Sequence, residues 1–222
     1  MTRIAVVVFP GSNCEYDAAA GIASLGAIAE LVWHSTKDLA GFDGVILPGG
    51  FAHGDYLRPG ALARFSPVMD AVARFAEEGG AVLGICNGFQ VLTEAGLLPG
   101  ALQKNAGLKF LCQPTALEVT STDSVLTSRA TLGQRLVIPI NHFSGAYVCD
   151  DETYARLDAN GQVILRYREN PNGSRGDVAG LANERGNVVG LMPHPERAMS
   201  TLLGSADGRI LLESFISARV PA

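Results

Sequence analysis

The chain has 222 residues, a length that suits one domain with a sizeable core. With 17 basic against 22 acidic residues its formal charge is −5, which argues against binding nucleic acid through a basic surface. Apolar residues at 47% against 18% charged exclude a disordered chain, and 26 glycines with 11 prolines imply many tight turns.

Residues 4–9 (IAVVVF) form a continuous, largely β-branched run, the mark of a strand buried on both faces. Pro10-Gly11-Ser12-Asn13 then predicts a turn and residues 14–25 a helix stopped by Gly26. Strands are expected over 28–33 and 45–47, the second ended by Pro48-Gly49-Gly50. Val68, Ala71, Val72 and Phe75 recur at helical spacing and predict a helix over 67–78. A buried strand follows over 81–85 and a helix over 87–95. Residues 108–170 carry strand-like pieces at 116–120, 135–140 and 163–167 without convincing helices between them, and are expected as an antiparallel or mixed edge. A buried strand over 188–192 and a closing helix over 207–218 complete the chain. The alternation predicts an α/β fold, an open and mostly parallel sheet with helices on both faces.

The opening run is too short for a signal-peptide core with its cleavage site, and no apolar stretch approaches the roughly 18 residues of a membrane helix. A soluble, cytoplasmic protein is expected. Cys14, Cys86, Cys112 and Cys149 form no C-x-x-C pair, so free thiols are expected and no zinc motif is offered. Asn172-Gly173-Ser174 fits a glycosylation pattern but reads better as a turn in such a chain.

Gly84-Ile85-Cys86-Asn87-Gly88 has the form of a nucleophile elbow, between a buried strand and a helix. Such a turn projects its nucleophile from the carboxyl end of the sheet, where open α/β sheets bind ligands. The helix N-terminus favours a thiolate, and the Asn87 amide is free to donate to an oxyanion. Cys14, which also precedes a helix, is the rival nucleophile. His194 and Glu196 lie two apart in the extended Met192-Pro193-His194-Pro195-Glu196. They therefore point to one side, and the carboxylate can orient a ring that faces the thiol. The Gly49-Gly50 turn can present the Gly50 amide as a second oxyanion donor. It lacks the G-x-x-x-x-G-K-[ST] pattern of a phosphate loop, and nothing in the sequence is recognisable as an ATP site.

Pro48-Gly49-Gly50, Gly84-Ile85-Cys86-Asn87-Gly88-Phe89-Gln90 and Pro193-His194-Pro195-Glu196, in this order and spacing, resemble the class I, triad-type glutamine amidotransferases. Four further segments narrow the resemblance to the glutaminase subunits of bacterial phosphoribosylformylglycinamidine synthase. They are Phe9-Pro10-Gly11-Ser12-Asn13-Cys14, Phe51 with Gly54-Asp55-Tyr56, Met192 and Arg197 about the triad, and Leu203-Gly204-Ser205-Ala206-Asp207-Gly208. It covers essentially the whole chain.

The resemblance implies a flavodoxin-like fold, with residues 1–222 forming a single amidotransferase domain. It implies attack of Cys86 on the glutamine amide, an oxyanion held by Gly50 and Asn87, and proton transfer by His194 oriented by Glu196. Gln90, Asn141 and Phe143 are implied as glutamine contacts. Related chains often carry H-G-E-G where His142-Phe143-Ser144-Gly145 stands here, so Ser144 replaces an acid. No metal or cofactor is implied for this chain. ATP and Mg are implied on a PurL-type synthetase partner acting on formylglycinamide ribonucleotide, with a small PurS-type subunit completing the complex. Three alternatives stay open: another cysteine hydrolase of the superfamily, an amidotransferase subunit of another pathway, and a non-catalytic flavodoxin-like module.

Overall fold

The structure is a computed structural model and describes residues 1–218. The elements in chain order are β1 (Arg3–Val8), α1 (Glu15–Ser24), β2 (Ile28–Trp33), β3 (Gly44–Leu47), α2 (Pro67–Glu77), β4 (Ala81–Ile85), α3 (Asn87–Glu94), β5 (Ala101–Lys104), β6 (Leu111–Val119), β7 (Arg135–His142), β8 (Ser144–Val148), α4 (Asp151–Ala159), β9 (Val163–Tyr167), β10 (Val178–Ala182), β11 (Val188–Leu191) and α5 (Gly208–Ser217). Nine strands make one sheet in the order β2-β1-β3-β4-β11-β10-β9-β6-β7. The first five are parallel and the last four antiparallel, with β5 and β8 pairing separately.

The burial patterns follow from this layout. In β3, β4 and β11 every residue is buried, as the continuous apolar runs require of strands covered on both faces. In β7 the core-facing positions 136, 138 and 140 alternate with exposed or half-buried ones, because helices cover one face only there. The crossover from β1 through α1 to β2 runs one way along the sheet, and that from β3 through α2 to β4 runs the other. Right-handed crossovers therefore place α1 and α2 on opposite faces. α5 packs beside α1, and α3 lies across β3, β4 and β11.

The mixed edge stands where the sequence put it, but residues 108–170 do contain a helix. α4 buries only Leu157, so its apolar stripe is too thin to read. It is fixed instead by the Asp150 cap, whose carboxylate accepts from the Thr153 N–H at 2.7 Å. β10, β5 and β8 also went unpredicted. Asn172 is fully buried, with its side-chain amide donating to the Gly145 carbonyl at 2.9 Å, so the sequon is an internal turn. All four cysteines are free. Among the described residues no helix is long and apolar enough to cross a membrane.

Candidate active site

The sheet reverses its winding between β1 and β3, and a crevice opens there at the carboxyl ends of the strands. Two loops are clamped across it. The Cys14 N–H donates to the Gly49 carbonyl at 3.2 Å, and the Phe51 N–H to the Gly11 carbonyl at 2.9 Å. Gly50 sits between these bonds at φ +145°, a conformation L side chains rarely adopt, and a Cβ there would lie 2.8 Å from Ser12 Cα. Its own N–H has no acceptor among the described residues.

β4 leads straight into the elbow. Cys86 has φ 51° and ψ −102°, a strained backbone for a non-glycine residue. Its N–H donates to the Leu191 carbonyl at 2.8 Å, and its own carbonyl accepts the first turn of α3 from the Gln90 N–H at 3.2 Å. Gly88 is required because any Cβ would collide with the Leu47 carbonyl. Asn87 opens α3, so its N–H has no intrahelical acceptor. The Asn87 side chain is a hub: Oδ1 accepts from the Ala52 N–H at 3.0 Å, while Nδ2 donates to Gln90 Oε1 at 2.9 Å and Asp55 Oδ1 at 3.3 Å.

His194 follows β11, and its N–H donates to the Pro139 carbonyl at 2.8 Å. Its Nδ1 donates to Glu196 Oε1 at 2.6 Å, with both side chains buried. Burial alone would push the imidazole down, but the Glu196 carboxylate and then the charge on Cys86 outweigh it and hold it well above its ordinary value. His194 Nε2 has no hydrogen-bond partner among the described residues, and Cys86 Sγ donates to the Asn141 carbonyl at 3.7 Å. The nucleophile and base thus face one cavity, and the bond between them is open.

That cavity has a volume of about 880 Å³. The structure brings Gly50, Cys86, Gln90, Asn141, Phe143 and His194 together on its wall. Asn87 lies just behind the wall and Glu196 behind His194. Gln90 is at the wall with its amide already engaged, since Nε2 donates to the Ser144 carbonyl at 2.6 Å. That bond uses the backbone at 144, so the Ser144 departure leaves it untouched.

Cys14, the rival nucleophile, also lines the wall, with Arg197, His142 and Asp55, to which the motifs assign no role. Cys14 accepts from Arg197 Nη2 at 3.2 Å, 183 positions away in the chain. Its Sγ, a nitrogen of His194 and an oxygen of Glu196 lie within 4.8 Å of one another. His142 donates from Nδ1 to Asn105 Oδ1 at 3.0 Å and is pushed down to about 4 by burial and then by the charge of His194. It is therefore neutral at pH 7, with a buried Nε2 that has no partner among the described residues. Asp55 is pushed up to about 6 by burial, which its bond from Asn87 only partly offsets.

Residues 1–209 match the family model for a CobB/CobQ-like glutamine amidotransferase domain. The chain is 54% identical over 215 residues to phosphoribosylformylglycinamidine synthase subunit PurQ of Rubrobacter xylanophilus, spanning 97% of this chain and 98% of that one. It also resembles a chain in the structure of PurLQS from Thermotoga maritima, with a TM-score of 0.90 and 43% identity over 97% of each chain.

Proposed function

The chain belongs to the CobB/CobQ-like glutamine amidotransferase family, and we propose that Cys86, His194 and Glu196 perform its chemistry. It is the glutaminase subunit of phosphoribosylformylglycinamidine synthase, and acts in purine biosynthesis. It works with a PurL-type synthetase and a small PurS-type subunit. Identity over nearly the whole chain favours this over another pathway or another cysteine hydrolase. The reading places ATP and Mg²⁺ on the synthetase, and the complex in the cytoplasm, where Cys86 stays reduced.

The chemistry follows from the geometry. Cys86, its proton held by His194, attacks the amide carbon of glutamine. The unpaired N–H groups of Gly50 and Asn87 receive the oxyanion. His194 passes its proton to the departing ammonia, leaving a γ-glutamyl thioester on Cys86. The now neutral imidazole takes a proton from water, which attacks the thioester and releases glutamate. Asn141 and Phe143 border the substrate, while Gln90 holds the strand end at 144 against the elbow.

The observation that carries the reading is the strained Cys86 facing the buried His194–Glu196 pair across one cavity. Cys86→Ala in the assembled complex is expected to abolish synthesis from glutamine and to leave synthesis from ammonia intact. Substitution with no loss of glutamine-dependent synthesis would sink the assignment. A glutamine-like diazoketone should label Cys86, and label on Cys14 instead would move the nucleophile there.

A further inference from the structure

We propose that Asp55 binds the α-ammonium of glutamine, an assignment that rests on the glutaminase reading above. Asp55 is the sole acidic side chain among the described residues lining the cavity, which it shares with Arg58, Lys104 and Arg197. Two of those cations are already paired. Arg58 grips Glu94 through bonds of 2.6 and 2.7 Å, and Arg197 reaches Asp17 at 3.1 Å. Asp55 is in no ion pair among the described residues, and its contact with Asn87 at 3.3 Å is long. A half-buried carboxylate with no cation is an unfavourable arrangement unless a ligand supplies one. Burial pushes its carboxyl up to about 6, and the bond from Asn87 offsets this only in part.

Glutamine fits the site by its chemistry. It carries one ammonium, at the end opposite the reacting amide. The Asn87 backbone adjoins Cys86, and its side chain plus one hydrogen bond spans the distance to Asp55. Cys86 and Asp55 both line the cavity, so one ligand can meet both. A glutamine seated on Cys86 would therefore present its ammonium near Asp55, while its α-carboxylate has cavity cations to meet. The backbone is arranged for this placement. His53, Gly54, Asp55 and Leu57 all have positive φ, between 53° and 69°. Three of them are not glycine, so the loop is held against local preference. The Ala52 N–H bonded to Asn87 and the close approach of Gly60 to the Gln90 backbone hold it there.

The test uses the reconstituted three-subunit complex, with initial rates of glutamine-dependent synthesis. Asp55→Asn is isosteric and should raise the KM for glutamine by roughly 30-fold, with kcat within about threefold, as loss of a charge-assisted bond to the substrate predicts. Asp55→Glu keeps the charge and should recover part of the affinity. A merely structural role predicts the reverse order, with Asn tolerated better than the longer Glu. 4-Carbamoylbutanoate, which is glutamine without its amino group, should compete equally well or better in Asp55→Asn than in the parent. An unchanged glutamine KM in Asp55→Asn, or equal weakening of both ligands, would overturn the assignment. A parent complex that makes product from ammonia but none from glutamine would instead overturn the glutaminase reading, and this assignment with it.

Discussion

Glu196 devotes its carboxylate to His194 through a buried bond of 2.6 Å, whereas Asp55 is in no ion pair among the described residues. Two predictions separate these roles. In Glu196→Gln the neutral amide no longer supports the imidazolium, and burial is left to push the ring down. The step that protonates ammonia needs the charged ring, so activity is lost as pH rises through its pKa. The alkaline limb of kcat/KM for glutamine should therefore move to lower pH, with a loss of about 100-fold or more. An unmoved limb would remove Glu196 from the triad. For Asp55 the sign concerns stability. Its carboxyl is raised to about 6, so the folded state disfavours the anion. That penalty is absent below the ordinary carboxylate range, grows as pH rises toward 6, and is complete at pH 7. Asp55→Asn should thus stabilise the chain by about 1–2 kcal/mol at pH 7, after allowance for solvent access, and by nothing near pH 3.5. Denaturant melts at the two pH values check it. The grouping of Cys86, His194 and Glu196 was readable because each lies in a short motif. Asp55, and the pairs Cys14–Arg197 and His142–Asn105, were not, because their meaning comes from partners 32 to 183 positions away.

The strand–elbow–helix unit from β4 to α3 shows why some elements declare themselves. Its strand is a closed apolar run, and its glycines answer to contacts with neighbouring backbone. Gly88→Ala drives a methyl group into the Leu47 carbonyl at the end of β3, a backbone atom with little freedom to retreat. It should destabilise the fold by about 1–3 kcal/mol and cost activity together with stability, because Cys86 rides on the same turn. A Gly88→Ala chain with parental melting would show that β3 and α3 can separate at no cost. The elements that stayed silent lack such a signature. β8 contains Gly145 and pairs only with β5, itself a four-residue strand with two exposed positions. α4 shows one buried residue to the core, so only its Asp150 cap distinguishes it from a loop. Tertiary context, rather than periodicity, decides those segments.

At the scale of the whole molecule, the open bond between Cys86 and His194 acquires a consequence. Among the described residues His194 Nε2 is unpartnered, and the Cys86 thiol points to the Asn141 carbonyl. Around the mouth of the same cavity stand Phe51, Leu57, Leu108 and Phe143, exposed by 48%, 85%, 67% and 38%. A cluster of exposed apolar side chains rimming a reactive site is the surface a partner covers. Closing that rim would also exclude water from the site. The chain alone should therefore hydrolyse glutamine slowly. Adding the synthetase and its small subunit should raise kcat/KM by about 5- to 150-fold, the range of ordinary coupling between sites. Ammonia release by the purified chain, with and without its partners, measures this directly. Leu57→Glu places a charge on the rim, so it should weaken complex formation, read as loss of co-elution with the synthetase. Full-rate hydrolysis by the chain alone would show that the elbow and base close without help, and that the apolar rim serves assembly only.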